Sequence, residues 1–379
     1  MKILHLFSNW KWTGPAEPAL NLCLALRKRG HQVSFFCGSA PKGCENFIGV
    51  KAIERGITPI TELKLKKHFR CIDNLNDFFK LRKFIKNKQF DVVHTHQPND
   101  HLIGGLAARN IDNNISIVRT SYSGVPLAYT VRNRFLFKKL TDGLITISET
   151  ERSANIERFN LPGDIVLKVE GAIDLARFNP ERQKPDLREC FSIGKDDVVV
   201  GIVARVQRHR QFDLLLKAVS LALKKFPGLK LLIIGRGTHI KEIAVEPVKE
   251  MNIQGNVIFS GYRNEDYADV LSCMDINIFL MPGSDGSCRA VREAMAMGKP
   301  VISTSRGILP ELVVNGETGL IVEETPEDMA NAILKLIDDR ELRKKMGNAS
   351  RSKALREFDL DDQAEIVEQF YQTLKGQRR

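Results

Sequence analysis

Apolar positions along this chain follow two alternating periods. Residues 3–7, 33–37, 91–94, 115–119 and 143–147 are short runs dominated by Ile, Val, Leu and Phe, which predict buried strands. Between them the period lengthens to that of a helix. Ala19, Leu22, Cys23 and Leu26 share one face of a helix stopped by Gly30, and residues 75–88 and 102–109 predict two more. The same alternation restarts at 198–203. Helices are predicted at 214–225, 240–251 and 267–274, and strands at 230–234, 257–260 and 276–280. Helices at 327–338, 340–356 and 361–375 end the series. Residues 162–180 carry no long periodic element and are interrupted by Gly171 and Pro180, so the junction between halves is placed there. Strand–helix alternation predicts an α/β class protein. Each half is a doubly wound, mostly parallel sheet, with ligands expected at the carboxyl ends of the strands and a cleft between the halves.

Composition narrows the class. Of 379 residues, 43% are hydrophobic and 27% charged, as in soluble globular proteins. No apolar run approaches the roughly 20 residues that span a bilayer. The start, MKILHLFSNW, reads as a first strand and not as a signal peptide. Seven cysteines, scattered and without CxxC spacing, suggest a reducing, cytoplasmic setting and no metal site. The net charge of +11 lies wholly in residues 1–180, with 27 Lys and Arg against 16 Asp and Glu. One half therefore faces something acidic (nucleic acid, an anionic membrane or a phosphorylated glycan), unless the charge serves solubility alone.

Four stretches carry candidate chemistry. The first is the Gly/Ser turn at 283–287 that opens a predicted helix with Val291, Ala294, Met295 and Gly298 on one face, followed by the strand Val301, Ile302, Ser303. A helix start presents unpaired N–H groups and suits an anion. Asp285 and Glu293 bracket it and could reach different parts of one elongated ligand. The plain alternative is that Asp285 or Ser287 serves only as the cap and Glu293 is a solvated helix residue. The second is the loop 204–210, where Arg205, Arg208 and Arg210 follow a strand and precede a helix. Guanidinium groups grip phosphate oxygens bidentately, although an exposed basic loop is the plain alternative. The third is the turn Thr13-Gly14-Pro15-Ala16-Glu17 beside Trp10 and Trp12, in which Gly14 permits close backbone approach. The tryptophans are read first as packing residues. The fourth is His94-Thr95-His96 through His101. Without a carboxylate or cysteine pattern to complete it, a metal site is set aside, His94 is read as a core histidine, and His96 and Asp100 as residues lining the cleft. Residues 80–88, and Phe135-Leu136-Phe137 among Arg132, Arg134, Lys138 and Lys139, are candidates for contact with anionic lipid.

The stretch from Asp285 to Ile302 resembles the Glu-x7-Glu motif of the retaining glycosyltransferases of family 4 (group 1), with Asp285 and Glu293 in the two acidic positions. Arg205 and Arg210 match that family's diphosphate-neutralising pair. Gly235-Arg236-Gly237 resembles its GxG turn, and Gly261-Tyr262-Arg263 its nucleobase loop. Further similarity runs through Ser148-Glu149, 171–178 and 311–320. Asp285 stands where the family has Glu, which shortens its reach by one methylene, and Arg210 where Lys is commoner; two further departures stand out. Tyr122 occupies a position where the family usually has His, and Glu170 one where it has Asn.

The resemblance implies a GT-B fold of two Rossmann-like domains. An acceptor domain would span 1–175 and a nucleotide-sugar domain 176–360, with a C-terminal helix, 361–379, packing back on the first. It implies a catalytic set of Arg205, Arg210, Asp285 and Glu293. The donor pocket would be completed by Gly14, Gly235, Tyr262, Gly286, Ser287, Cys288, Arg289 and Ala290, with His96, Asp100 and Tyr122 on the acceptor side. No cofactor or metal is expected beyond the nucleotide-diphospho-sugar donor, and the departing phosphate takes the acceptor proton. The expected acceptor is a glycan or glycolipid of lipopolysaccharide or polysaccharide synthesis, met in the cytoplasm or at the inner face of the cell membrane. An epimerase or phosphorylase of the same fold is the alternative. A nicotinamide dehydrogenase lacks the third glycine of its fingerprint, and a nucleic-acid binder using the basic half lacks any recognisable RNA or finger motif.

Overall fold

The computed structural model describes residues 1–183, 185–283, 286 and 288–376. They form two units, each built on a six-stranded parallel sheet. The first comprises Met1–Ala172 and the C-terminal helix, and Gly286 clusters with it. The second comprises Ile173–Gly283 and Cys288–Asp359.

In the first unit the strands are β1 (Lys2–Phe7), β2 (Gln32–Cys37), β3 (Val92–Thr95), β4 (Ser116–Thr120), β5 (Gly143–Thr146) and β6 (Val166–Lys168), in the order β2-β1-β3-β4-β5-β6. Helices α1 (Ala16–Lys28), α2 (Phe47–Glu54), α3 (Cys71–Lys88), α4 (Pro98–Arg109), α5 (Val131–Phe135) and α6 (Glu149–Phe159) connect or follow them. The pleat sorts the side chains by parity. Leu4, Leu6, Val93 and Ile117 meet Leu81 and Ile85 of α3 and Ile103 and Ala107 of α4. Ile3, Val92, Val118 and Ile145 face the other way, onto Leu22 and Leu26 of α1.

The second unit has β7 (Val198–Val203), β8 (Leu229–Ile234), β9 (Val257–Gly261), β10 (Ile276–Phe279), β11 (Val301–Ser303) and β12 (Gly319–Ile321), in the order β12-β11-β10-β7-β8-β9. Its helices are α7 (Phe212–Leu223), α8 (Glu246–Glu250), α9 (Tyr267–Ser272), α10 (Arg289–Ala296), α11 (Leu309–Leu312), α12 (Pro326–Asp338) and α13 (Arg340–Glu357). Val200, Ile202, Leu231 and Ile233 pack against Leu215 and Val219 of α7 and Ile333 and Leu336 of α12.

The last helix, α14 (Leu360–Gly376), returns to the first unit. It buries Val367, Phe370, Tyr371 and Leu374 beside α1, and ion pairs from Lys28 to Asp361 and from Arg29 to Glu368 edge that seam.

Three local expectations are revised. Helix α4 begins at Pro98, not 102, because Gln97 and Asp100 form a capping box and proline suits the first helical position. The segment 162–180 holds the edge strand β6. Leu136 is buried and Phe137 lies in the core with Leu144 and Phe159, so only Phe135 of that apolar trio is exposed.

Candidate donor and acceptor sites

The second sheet reverses its order of winding between β7 and β10, which are neighbours, and a doubly wound sheet opens a crevice at such a point. The loops that leave those two strands carry the predicted arginines and lead into the predicted helix. Arg210 donates to the carbonyl oxygen of Met281, and a Cβ on Gly283 would overlap its guanidinium. The glycine therefore lets the arginine lie flat against the loop that enters α10. Arg205 is exposed on the same β7 loop, whereas Arg208 turns aside to pair with Glu242.

Two further loops lock the β7 loop in place. The backbone of Val206 donates to Arg236, and that of Gly235 to Gly261. Added Cβ atoms on Gly235 and Gly237 would overlap the carbonyl oxygens of Ala204 and Val206, and Gly235 has φ +154°. Only glycine permits this interlock. Tyr262 is exposed, and Arg236 lies over its ring at 4.7 Å. Arg236 was missed as a candidate, though its place between two glycines was visible.

Cys288, whose φ of +49° makes the sharp entry, precedes helix α10, which begins with Arg289 and Ala290. Glu293 is buried. The Tyr267 hydroxyl donates to its Oε2 at 2.7 Å, and Arg289 lies 3.4 Å from Oε1. Burial and the Glu293 carboxylate push the Tyr267 phenol well above its usual range, so it stays a donor. This contradicts the solvated-helix alternative for Glu293: the carboxylate is fixed in orientation by two partners. Tyr267 had no sequence signal, lying 26 residues before its partner on another helix. On the expectation that Glu293 takes hydroxyls of a nucleotide-sugar, removing the Tyr267 hydroxyl should weaken nucleotide-sugar binding about tenfold, the scale of a hydrogen bond to a charged group. Calorimetric titration of Tyr267→Phe checks this, and unchanged affinity would detach Glu293 from the ligand. Asp285 and Ser287 lie outside the described residues.

In the first unit, Gly14 is half-buried in the turn before α1, and Glu17 pairs with Arg55 at 2.9 Å. Trp10 stacks on Phe47 and Trp12 lies under Arg55, so both have packing partners. Gly286 donates its N–H to the Tyr122 carbonyl at 3.0 Å.

Asp100 has a structural task that the acceptor-side reading did not foresee. It is fully buried, and its carboxylate accepts from the backbone of Ser8 at 2.6 Å, His96 at 3.0 Å and Gln97 at 2.9 Å. It thereby ties the loop after β1 to the start of α4. Burial pushes its carboxyl up to about 7, opposed by Arg119 and those three donors. His96 is also buried. Its Nδ1 meets the Tyr122 hydroxyl at 2.9 Å and its Nε2 meets Nδ1 of His5 at 2.9 Å. His94, a core histidine as expected, bonds the hydroxyls of Tyr371 and Thr120 at 2.5 and 2.6 Å. His5, unnoticed in the sequence, completes a trio whose ring nitrogens lie within 4.8 Å of one another. That spacing would admit a cation, yet His94 and His96 already engage hydroxyls and His5 at hydrogen-bonding distance. The arrangement is explained as a stacked hydrogen-bonded ladder, with the His94 and His96 rings 4.4 Å apart.

Comparison with known proteins accords with this architecture. Residues 13–177 match the model of Glycosyltransferase Family 4, and residues 183–353 that of Glycosyl transferases group 1. The chain is 23% identical over 320 residues to the UDP-Gal:alpha-D-GlcNAc-diphosphoundecaprenol alpha-1,3-galactosyltransferase of Escherichia coli, covering 81% of each. It is 26% identical to the capsular polysaccharide biosynthesis glycosyltransferase CapM of Staphylococcus aureus, covering 82% of this chain and 84% of CapM. Its fold matches the crystal structure of Anabaena Alr3699/HepE in complex with UDP at a TM-score of 0.82, with 16% identity over 98% of this chain and all of that one. The two matched models together span nearly the whole chain, which belongs to the family 4, group 1 glycosyltransferases, enzymes of GT-B fold.

Proposed function

We propose that the protein moves a sugar, with retention, from a nucleotide-diphospho-sugar to a glycan or glycolipid acceptor in polysaccharide or lipopolysaccharide synthesis. The observation that carries this reading is the buried Glu293 carboxylate, held by Tyr267 and Arg289 on the helix entered from the loop that Arg210 braces. Arg205 and Arg210 hold the diphosphate, Glu293 takes ribose hydroxyls, and Asp285 takes sugar hydroxyls. The bond from the sugar anomeric carbon to the donor phosphate breaks and the bond to the acceptor oxygen forms on the same face. The nucleoside diphosphate leaves with its electron pair, and its phosphate oxygen receives the acceptor proton. The arginines stabilise the charge that grows on the leaving group. No metal is needed in this scheme. His96 acts through Tyr122, which stands on the acceptor side.

The Anabaena structure contains UDP, and the E. coli relative is named for UDP-Gal and a diphosphoundecaprenol-linked acceptor. These support a UDP-sugar and a lipid-linked acceptor as the first pair to test. In a thermal-shift panel of UDP-, GDP- and ADP-sugars, a UDP-sugar should raise the melting temperature most, since a ligand that binds only the folded state stabilises it. Proton NMR of the product should show the donor's anomeric configuration kept. No shift with any nucleotide sugar, or an inverted product, would end this reading.

A further inference from the structure

Helix α3 is amphipathic twice over. Its inner face, with Leu81 and Ile85 buried and Phe78 and Phe84 packed beside them, seals the first unit's core. Its outer face should then be polar. Instead Ile72, Leu75 and Phe79, spaced i, i+3 and i+7, stand 79%, 57% and 58% exposed, and Phe69 just ahead of the helix is 54% exposed. Isolated exposed apolar residues are ordinary, but four along one stripe mark an interaction surface. The stripe continues as cations. Lys83 and Lys86 extend the same face one and two turns further, and Lys67 and Arg70 flank Phe69, all of them exposed.

We infer that this face of α3 docks the protein on the surface of an anionic lipid bilayer, with Phe69, Ile72, Leu75 and Phe79 entering the headgroup boundary and the flanking cations meeting lipid phosphates. Charge decides the occupant. A second copy presenting the same patch would set cation against cation. Nucleic acid would satisfy the cations but offers no hydrocarbon to Ile72 and Leu75. The site rests on the proposed function in one respect: docking brings the acceptor-side unit to a lipid-linked acceptor.

The experiment is co-sedimentation of the full-length protein with vesicles of phosphatidylcholine alone or mixed with phosphatidylglycerol at 0.1 M salt. The wild type should sediment with the anionic vesicles only and be released as salt rises. The double change Leu75→Asp and Phe79→Asp should lower the partition coefficient at least tenfold. The pair Lys83→Gln and Lys86→Gln, which leaves the apolar stripe intact, should lower it roughly five-fold per lysine. The thermal shift given by the UDP-sugar should be the same in all forms, so a failure of docking is separable from a failure of the donor reading. The inference is overturned if the wild type ignores anionic vesicles or binds neutral ones equally. It is also overturned if both variants sediment like the wild type, or if the face instead supports a dimer in size-exclusion chromatography or an RNA gel shift that the aspartates leave unchanged.

Discussion

Arg210→Ala should lower kcat/KM by about two to three orders of magnitude, the usual loss when a group aimed at developing charge is removed. Three observations motivate this expectation. The loop that carries Arg210 leaves β7 at the point where the second sheet reverses its winding. The arginine lies flat over Gly283, where any side chain would displace it. It also braces the Met281 carbonyl just before the chain enters α10. The last contact invites a rival explanation, that the arginine is only a strut for this loop. The two differ in what they predict for ligands. A strut would affect every nucleotide ligand alike, whereas a diphosphate ligand-holder should lose affinity for UDP far more than for uridine. Arg210→Lys should recover part of the rate, since it keeps the charge without the fork. Rates of Arg210→Ala within about threefold of the wild type, under saturating and subsaturating donor, would remove Arg210 from the mechanism.

Acid should unfold the first unit before the second. Burial holds His5 down to about 3, and holds His94, His96 and His101 well below the usual imidazole range. Above pH 6.5 these rings are neutral whether the chain is folded or not. Below it the unfolded chain binds protons that the folded chain refuses, and each histidine then lowers stability by about 1.4 kcal/mol per pH unit. Asp100 acts in the opposite direction. Its folded carboxyl titrates near 7, above its unfolded value, so it gains stability as pH falls from 7 towards 4. About a pH unit below 6.5 the balance reaches a loss of about 4 kcal/mol per pH unit, against a typical total of about 5–15 kcal/mol. Asp77 and Glu151, also raised by burial, temper the loss lower down. In the second unit His209 and His239 are both exposed. Circular dichroism melts from pH 8 to 5 should therefore split into two transitions, with only the lower one moving. His5→Phe should flatten the slope by about a quarter to a third. A single transition that stays level down to pH 5 would contradict the burial argument.

How much of this was readable in residues alone depended on the kind of force holding each part. The strands of the second unit were legible because Val198–Val203 and Leu229–Ile234 are continuous apolar runs, and only burial on both faces explains such runs. Helix α6 was invisible. Its buried positions are Glu151, Asn155 and Phe159, so no apolar period betrays it, and it is held by polar bonds such as that from Ser123 to Glu151. Strands β6 and β12, three residues each, are too short to show a period. Around the candidate site, Arg210 and Glu293 could be picked out because one lies in a basic loop after a strand and the other follows a Gly/Ser turn into a helix. Tyr267 could not, since its relation to Glu293 exists only after α9 and α10 have packed. Asp100 shows the converse. Its type and position suggested chemistry, while its three backbone donors make it the clasp between two loops.

The return of α14 to the first unit inverts the order in which a ribosome can deliver finished parts. Residues 1–172 emerge first, yet the part of their sheet face and of α1 that awaits Val367, Phe370 and Tyr371 stays uncovered until the second unit has been made in full. Domains usually fold as they emerge, amino-terminal part first. Here the earlier half must wait with hydrocarbon uncovered, in reach of chaperones, while the later half settles. Loss of residues 360–376 would thus be expected to spare the second unit and leave the half encoded first unable to close.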